Sequence, residues 1–327
     1  MNPMINSRKM DKILIIGAGG QIGTDLTVEL RKKYGHNNVI TSDIRPASSS
    51  IHQEGPYEIL DVLDEVRLTQ VVQKYEISQI YHLAAILSAT GEKIPVKAWN
   101  INMDGLINVL NVSKNNGVSK IFWPSSIAVF GPNTPLDETS QYTVMDPNTI
   151  YGISKLAGER WVEYYHDKYD LDIRSIRYPG LISHQAEPGG GTTDYAVDIY
   201  HHAIRTGKYE CYLSENSMLP MMYMPDAIKA TINLMEAPAE TIKVRSSYNV
   251  GSMSFTPKQI AESIQKHIPE FTISYKSDFR QALADSWPNS VNDSKATEDW
   301  NWQPDFDLDA MTKDMLENIG KKIKREG

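Results

Sequence analysis

Tyr151 and Lys155 stand four residues apart in the run Tyr151-Gly152-Ile153-Ser154-Lys155. A helix there puts both side chains on one face. A free phenol loses its proton near pH ~10 and is a poor base at neutral pH. An ammonium alongside favours the phenolate, and a cationic ring nearby would add to the effect. Bringing the phenol into the neutral range takes ~4 kcal/mol of differential stabilisation, within reach of a partly dry site. A phenol so tuned can exchange a proton with an alcohol while hydride leaves the same carbon. Ser125 and Ser126 close the stretch KIFWPSS at 120–126. One hydroxyl at that strand end can hydrogen-bond the reacting oxygen; Ser126 takes this role and Ser125 a structural one.

Hydride needs an acceptor, and the chain offers a place for one. Glycines recur at 17, 20 and 23 in Gly17-Ala18-Gly19-Gly20-Gln21-Ile22-Gly23, between the apolar run 13–16 and a helical pattern with Ile22, Leu26 and Leu30. Gly17 permits a tight turn, Gly20 lets backbone approach a pyrophosphate, and Gly23 lets helix and sheet pack closely. The helix N-terminus, with Gln21 and Ile22, then presents N–H groups and a positive dipole end to phosphates. Asp43 lies about twenty residues further on, where a carboxylate receives both adenosine ribose hydroxyls. It would repel a 2′-phosphate, which favours NAD over NADP. Arg45 works against that preference, because an arginine there can receive the phosphate.

The elements needed to hold these residues are legible as an alternation. Strand-like runs at 13–16, 39–43, 79–85, 120–126 and 171–178 alternate with helical patterns, the clearest at 99–115 and 151–169. Repeated βα units imply an α/β, doubly wound parallel sheet with helices on both faces. Residues 12–178 are read as the dinucleotide domain, with 220–250 returning to it. A smaller substrate-binding domain takes 179–219 and 251–327. Residues 179–193 read as a long loop, with helices following at 195–206, 226–236, 257–267 and 308–324. Short strands are expected at 221–224 and 247–250, and residues 1–11 read as an extension or tail.

Composition narrows the partners. The chain has 327 residues and a net charge of −8, with a pI near 5.5. That balance argues against nucleic acid and anionic membranes, which want a basic face. No apolar run is long enough to span a bilayer, and the polar first ten residues do not resemble a signal peptide. A lone cysteine, Cys211, excludes an intrachain disulfide. The expectation is a cytoplasmic protein without a metal centre; His82, His184, His201 and His202 read as core or surface residues.

Taken together, these motifs resemble the extended short-chain dehydrogenase/reductase family, the NAD-dependent epimerase/dehydratase-like group. The resemblance rests on Gly17, Gly20, Gly23, Asp43, Asp61-Val62, Leu83-Ala84-Ala85, Asn102, Ser126, Tyr151, Lys155 and Arg177-Tyr178-Pro179-Gly180. It implies that Asp61 and Val62 contact adenine and that Lys155 also holds the nicotinamide ribose. It places Leu83, Ala84, Ala85, Asn102, Tyr178 and Pro179 along the cofactor as well. Sugar 4,6-dehydratases of the family carry an acidic pair where Ile127 and Ala128 stand here. Nucleotide-sugar epimerases usually show Phe-Asn where Pro179-Gly180 stands.

Within the family the chain is most similar to the epimerase-like branch of L-threonine 3-dehydrogenases. Gln21 in the glycine turn, Leu181-Ile182-Ser183 and Ser286-Trp287-Pro288 carry this likeness. So does the stretch PGGGTTDYA at 188–196. It implies oxidation of the β-hydroxyl of L-threonine to L-2-amino-3-oxobutanoate, with Ser88, Ser126, Tyr151, Thr192, Thr193 and Asp194 around the substrate. The glycines of that stretch would serve as hinges, and Asp194 could equally cap the helix that follows. A homodimer through 99–115 and 151–169 is implied too. The alternatives are a nucleotide-sugar epimerase and a non-catalytic NAD-binding protein.

Overall fold

The computed structural model describes residues 11–47, 50–185 and 191–326. The expected extension at 1–10 and the glycines at 189–190 lie outside the described residues. In chain order the first elements are β1 (Ile13–Ile16), α1 (Gln21–Tyr34), β2 (Val39–Asp43), α2 (Ser50–Gln53), β3 (Tyr57–Ile59) and α3 (Glu65–Tyr75). Next come β4 (Gln79–His82), α4 (Ser88–Lys93), α5 (Pro95–Trp99), α6 (Gly105–Asn116), β5 (Lys120–Ser126), α7 (Ile150–Tyr169) and β6 (Asp172–Tyr178). The chain continues with β7 (Gly180–Ile182), α8 (Tyr195–Thr206), β8 (Lys208–Cys211), β9 (Leu219–Tyr223), α9 (Met224–Glu236) and β10 (Tyr248–Asn249). It closes with β11 (Met253–Phe255), α10 (Pro257–Gln265), β12 (Thr272–Tyr275), α11 (Arg280–Ala284), α12 (Ser294–Trp300) and α13 (Leu308–Glu326).

Alternate residues of β1 seed two cores, because side chains on a strand point to opposite faces. Ile13 and Ile15 pack with Leu26 and Leu30 of α1 and with Ala227, Ala230 and Leu234 of α9. Leu14 and Ile16 pack with Leu68 and Val72 of α3, Leu106 and Val109 of α6, and Val162 of α7. The seven-stranded sheet has the order β10-β6-β5-β4-β1-β2-β3, with every pair parallel. This is the doubly wound fold that the alternation implies. Strand order reverses between β1 and β4, so the glycine turn after β1 opens at the switch point where such sheets bind ligands.

Past β6 the structure departs from the reading in several places. Residues 180–182, read as loop, form β7, which pairs in parallel with β9. β9 also pairs with β11, so a three-stranded sheet stands beside the main one. Of residues 220–250, α9 and β10 join the main sheet while β9 builds the second. β8 and β12 make a third, two-stranded sheet. These strands have only three to five residues, and long-range pairing rather than local pattern defines them. Residues 99–115 are not one helix: Asn100–Asp104 form a π-helical turn between α5 and α6. A third apolar core joins α8, α10 and α13 to the segment after β5.

One buried acid ties α1 to this second layer. Asp25 is almost wholly buried on α1, and the Ser183 hydroxyl, just after β7, donates to its Oδ2 at 3.3 Å. Burial pushes the Asp25 carboxyl up to about 6, with the Ser183 hydrogen bond opposing and Glu29 adding to the rise. A raised value in the folded state means that stability is lost as pH rises from ~4 to ~6. Asp25→Asn, which does not titrate, should therefore gain on the parent over that window by up to about 3 kcal/mol. Urea unfolding across pH checks this; a difference independent of pH would refute it.

Candidate active site

Sixteen predicted residues share one cleft of about 240 Å³ at the carboxyl edge of the main sheet. Gly17, Gly20, Gln21, Ile22, Gly23, Leu83 and Ala85 line one end. Ser88, Ser126, Tyr151, Lys155, Tyr178, Pro179, Thr192, Thr193 and Asp194 line the rest. Five predicted residues are not in that lining. Ala84 lies behind Gly17, and Asp43 lies beside Gly19. Asp61 is exposed and accepts from the Leu63 amide at 3.0 Å. Val62 is buried against Gly105. Asn102, read as a cofactor contact, is used up inside the protein. Its amide brackets the Ile86 backbone at 2.8 and 3.1 Å and donates to Ser154 Oγ at 3.2 Å.

The turn after β1 is built on contacts that no side chain could share. Gly17 has φ +86°, and a Cβ there would meet the Ala84 nitrogen at 2.7 Å. A Cβ on Gly23 would meet the Gly17 carbonyl oxygen at 2.5 Å. α1 therefore starts flush against β1, with no side-chain cap and no acid in its first turn. A helix start of this kind suits an anion. Asp43 Oδ2 accepts from the Gly19 amide at 3.1 Å, and Arg45 lies 3.5 Å from Oδ1. The arginine that could have received a 2′-phosphate is paired with the acid instead.

Tyr151 is placed by the way α7 meets β5. The Thr149 hydroxyl caps α7 by accepting from the Gly152 amide at 3.0 Å. A Cβ on Gly152 would lie 2.1 Å from the Ala128 carbonyl oxygen, so α7 starts directly against the turn after Ser126. The Ser126 hydroxyl is a hydrogen-bond partner of Tyr151 and accepts from the Ala128 amide at 3.2 Å. β5 pairs with β4 only as far as Phe122 but with β6 as far as Ser126. Pro124, which has no N–H, lies past the last β4 pair, where no ladder bond is required of it. Its carbonyl accepts from Lys155 Nζ at 2.6 Å.

The electrostatics differ from the expectation drawn from spacing. Lys155 Nζ is 5.6 Å from the Tyr151 ring centroid and 4.5 Å from that of Trp123. Burial pushes the phenol up to about 12, with the Ser126 hydrogen bond opposing. Burial also takes Lys155 down to about 7, with Glu159 opposing. Desolvation disfavours the charged form of both groups and outweighs their mutual help. With the protein's own groups alone, Tyr151 is a neutral phenol at neutral pH.

Some of the wall was not read from the sequence. Leu87, Ile127, Leu181, Gly191 and Trp287 also line the cleft. Leu87, Ile127 and Leu181 adjoin predicted residues and could have been inferred by neighbourhood. Trp287 comes from far along the chain; Ser286-Trp287-Pro288 carried the family likeness, but nothing in it assigned the tryptophan to the cleft. Thr192 Oγ1 is buried on the wall without a hydrogen-bond partner, an uncommon state for a buried hydroxyl. Asp194 Oδ2 accepts from the Gly191 amide at 2.8 Å, which closes the turn into α8.

Residues 13–251 match the family model described as the NAD dependent epimerase/dehydratase family. The chain belongs to that family. It is similar to the GalE-like L-threonine dehydrogenase of Cupriavidus necator in its holo form: 54% identity, 94% of this chain and 99% of that one covered, TM-score 0.92. It is also similar to the L-threonine dehydrogenase of Clostridium difficile, at 50% identity, 96% and 99% coverage and TM-score 0.94. A curated relative from Staphylococcus saprophyticus, an uncharacterized epimerase/dehydratase, is 48% identical over 97% of this chain and 99% of its own length.

The close seating of α7 is open to test by stability alone. Gly152→Ala should cost ~1–3 kcal/mol, as overpacking at a rigid contact does. Gly320→Ala, where an added methyl meets nothing within 4 Å, should instead gain up to ~1 kcal/mol from helix propensity. Denaturant unfolding of the two variants decides; equal effects would show that α7 has slack at Gly152.

Proposed function

We propose that this chain is an NAD-dependent dehydrogenase that oxidises the β-hydroxyl of L-threonine to L-2-amino-3-oxobutanoate. The observation that carries the reading is the cleft wall, where the unpartnered Thr192 hydroxyl joins Ser88, Ser126 and Tyr151. The chain is also about half identical, over nearly its whole length, to proteins described as L-threonine dehydrogenases.

The residues fit the cofactor. Gly17 and Gly23 let the turn and α1 pack directly on β1 and the segment after β4, where a Cβ would strike backbone, and the uncapped start of α1 suits a pyrophosphate. Gly17, Gly20, Gln21, Ile22 and Gly23 would hold the phosphates and Asp43 the adenosine ribose, with Asp61 and Val62 toward adenine. Leu83, Ala84, Ala85, Tyr178 and Pro179 would flank the nicotinamide end, Asn102 would brace the segment after β4 behind it, and Lys155 would hold its ribose. When bound, NAD accepts the β-hydrogen of the substrate as hydride and brings a positive charge beside the phenol.

Ser126 orients the β-hydroxyl oxygen, and Tyr151 takes its proton as the carbonyl forms. Lys155, fixed by the Pro124 carbonyl, supports the deprotonated phenol from the next turn of α7. Among the described residues lining the cleft, Lys155 is the single cation and Asp194 the single anion. With the α1 start taken by the cofactor, a second diphosphate, as in a nucleotide sugar, would be served best by an arginine or lysine clamp. A small zwitterion can instead be held by the hydroxyls of Ser88, Thr192 and Thr193 and by Asp194. Ile127 and Ala128, both buried, leave elimination chemistry without its acid and base.

Purified protein with NAD⁺ and L-threonine should produce NADH, followed by absorbance. No NADH, together with activity on a nucleotide sugar, would overturn the reading. Tyr151→Phe should lower kcat by at least ~10²-fold, the usual scale for general-base catalysis, with NAD affinity retained. Thr192→Val should raise the KM for threonine about tenfold with no loss of stability, because the hydroxyl it removes is unpartnered in the protein. A drop in stability with KM unchanged would make Thr192 a structural residue.

A further inference from the structure

We propose that Trp287 sets the limit on the alkyl group carried by the substrate's alcohol carbon, admitting a methyl and excluding longer chains. This rests on the function proposed above and names the specificity of the same site. Of the described residues that line the cleft, Trp287 is the single one beyond position 194. Its packing groups it with residues around the phenol. Its ring belongs to the apolar core that contains Ile127 and against which Tyr151 packs. The glycine turn borders a different core, through Ala18.

The indole is a fixed wall. It is 6% exposed, and bonds on both sides hold its backbone. The Trp287 amide donates to Ala284 O at 3.1 Å, and the Ser286 hydroxyl donates to Leu283 O at 2.8 Å. Immediately beyond, the Asn289 and Ser290 amides both donate to Leu136 O, at 2.8 and 3.2 Å. α11, which leads into the tryptophan, is anchored in turn. Gln281 accepts from the Ser214 amide at 2.7 Å and donates to Ser217 Oγ at 2.9 Å. The Arg280 guanidinium lies 3.1 Å from the centroid of the Tyr212 ring.

The substrate's chemistry assigns the direction. With the hydroxyl at Ser126 and Tyr151, the ammonium and carboxylate of the α-carbon must go to the polar wall of Ser88, Thr192, Thr193 and Asp194. The remaining alkyl substituent is then left to the apolar residues of the lining, of which Ile127 and Trp287 share one core. A rigid bicyclic ring there yields little to an added methylene, and one methylene commonly changes specificity by 10–200-fold.

The test compares kcat/KM for L-threonine with that for its ethyl homologue, 2-amino-3-hydroxypentanoate of the same configuration. Both are measured in the parent protein, Trp287→Ala and Trp287→Phe. The homologue-to-threonine ratio should rise at least tenfold in Trp287→Ala and by less in Trp287→Phe. Should the alanine variant not fold, the phenylalanine ratio decides alone. A ratio equal to the parent's, with both substrates losing rate in parallel, overturns the proposal and leaves the function standing. A parent protein that does not oxidise threonine overturns both.

Discussion

The Glu159–Arg177 ion pair holds the elements that carry Ser126, Tyr151 and Lys155 in register. Both side chains are excluded from solvent and meet through two N–H···O contacts of 2.8 Å. Burying two charges is repaid only when the geometry is good and the remaining polar atoms find partners. Here they do. Glu159 Oε1 also accepts from Ser125 Oγ at 2.7 Å, and Arg177 Nη1 donates to Gln141 O at 2.9 Å and Asn249 Oδ1 at 3.0 Å. Ser125 precedes Ser126 on β5, and Glu159 lies one turn beyond Lys155 on α7. The pair thus sets strand against helix where serine and tyrosine must meet. Losing either partner would leave a buried charge uncompensated, at a cost of about 3–5 kcal/mol.

Around that anchor, polar side chains are bonded to other groups of the protein. Asn102 clamps Ile86, Thr149 caps α7, and the Tyr178 hydroxyl is bonded to Thr231 in the core. Against this background the unpartnered groups stand out. His82, at the end of β4, is buried with neither ring nitrogen bonded; burial takes it down to about 3 and keeps it neutral. It is not among the residues that line the cleft. Thr192 is on the wall itself. The same feature, an unmet buried polar atom, reads differently in the two places: under the function proposed here, only the one on the cleft wall would meet a ligand.

Much of the first half of the chain was legible because its constraints are local. Strand β1 is a continuous β-branched run, and the glycines at 17 and 23 mark contacts that exclude a Cβ, so sequence and structure carry the same information there. β3, β7, β8, β11 and β12 were not read, since three- or four-residue strands are defined by partners far along the chain. Trp287 is the extreme case. Its place in the cleft depends on α11 docking near Ser214 and on the strap to Leu136, neither of which leaves a periodic or compositional trace near position 287. Asn102 shows another limit: its position was read, but an amide can contact a cofactor, brace a loop or do both, and its bonds to Ile86 and Ser154 could not be read from the sequence.

The spacing of Tyr151 and Lys155 shows the same limit at the level of chemistry. Four residues on a helix guarantee proximity, and proximity alone would favour a phenolate beside an ammonium. The helix, however, is buried where it carries them, and desolvation acts on both groups at once, raising one and lowering the other. A neutral phenol beside an amine that titrates near neutrality is the arrangement that burial prefers. Moving a proton through Tyr151 therefore requires more positive charge than α7 supplies. Glu159, which is ion-paired with Arg177, works to keep Lys155 charged, as does the Pro124 carbonyl, and burial still outweighs them. Sequence spacing identifies the pair; its protonation follows from burial, which belongs to the fold as a whole.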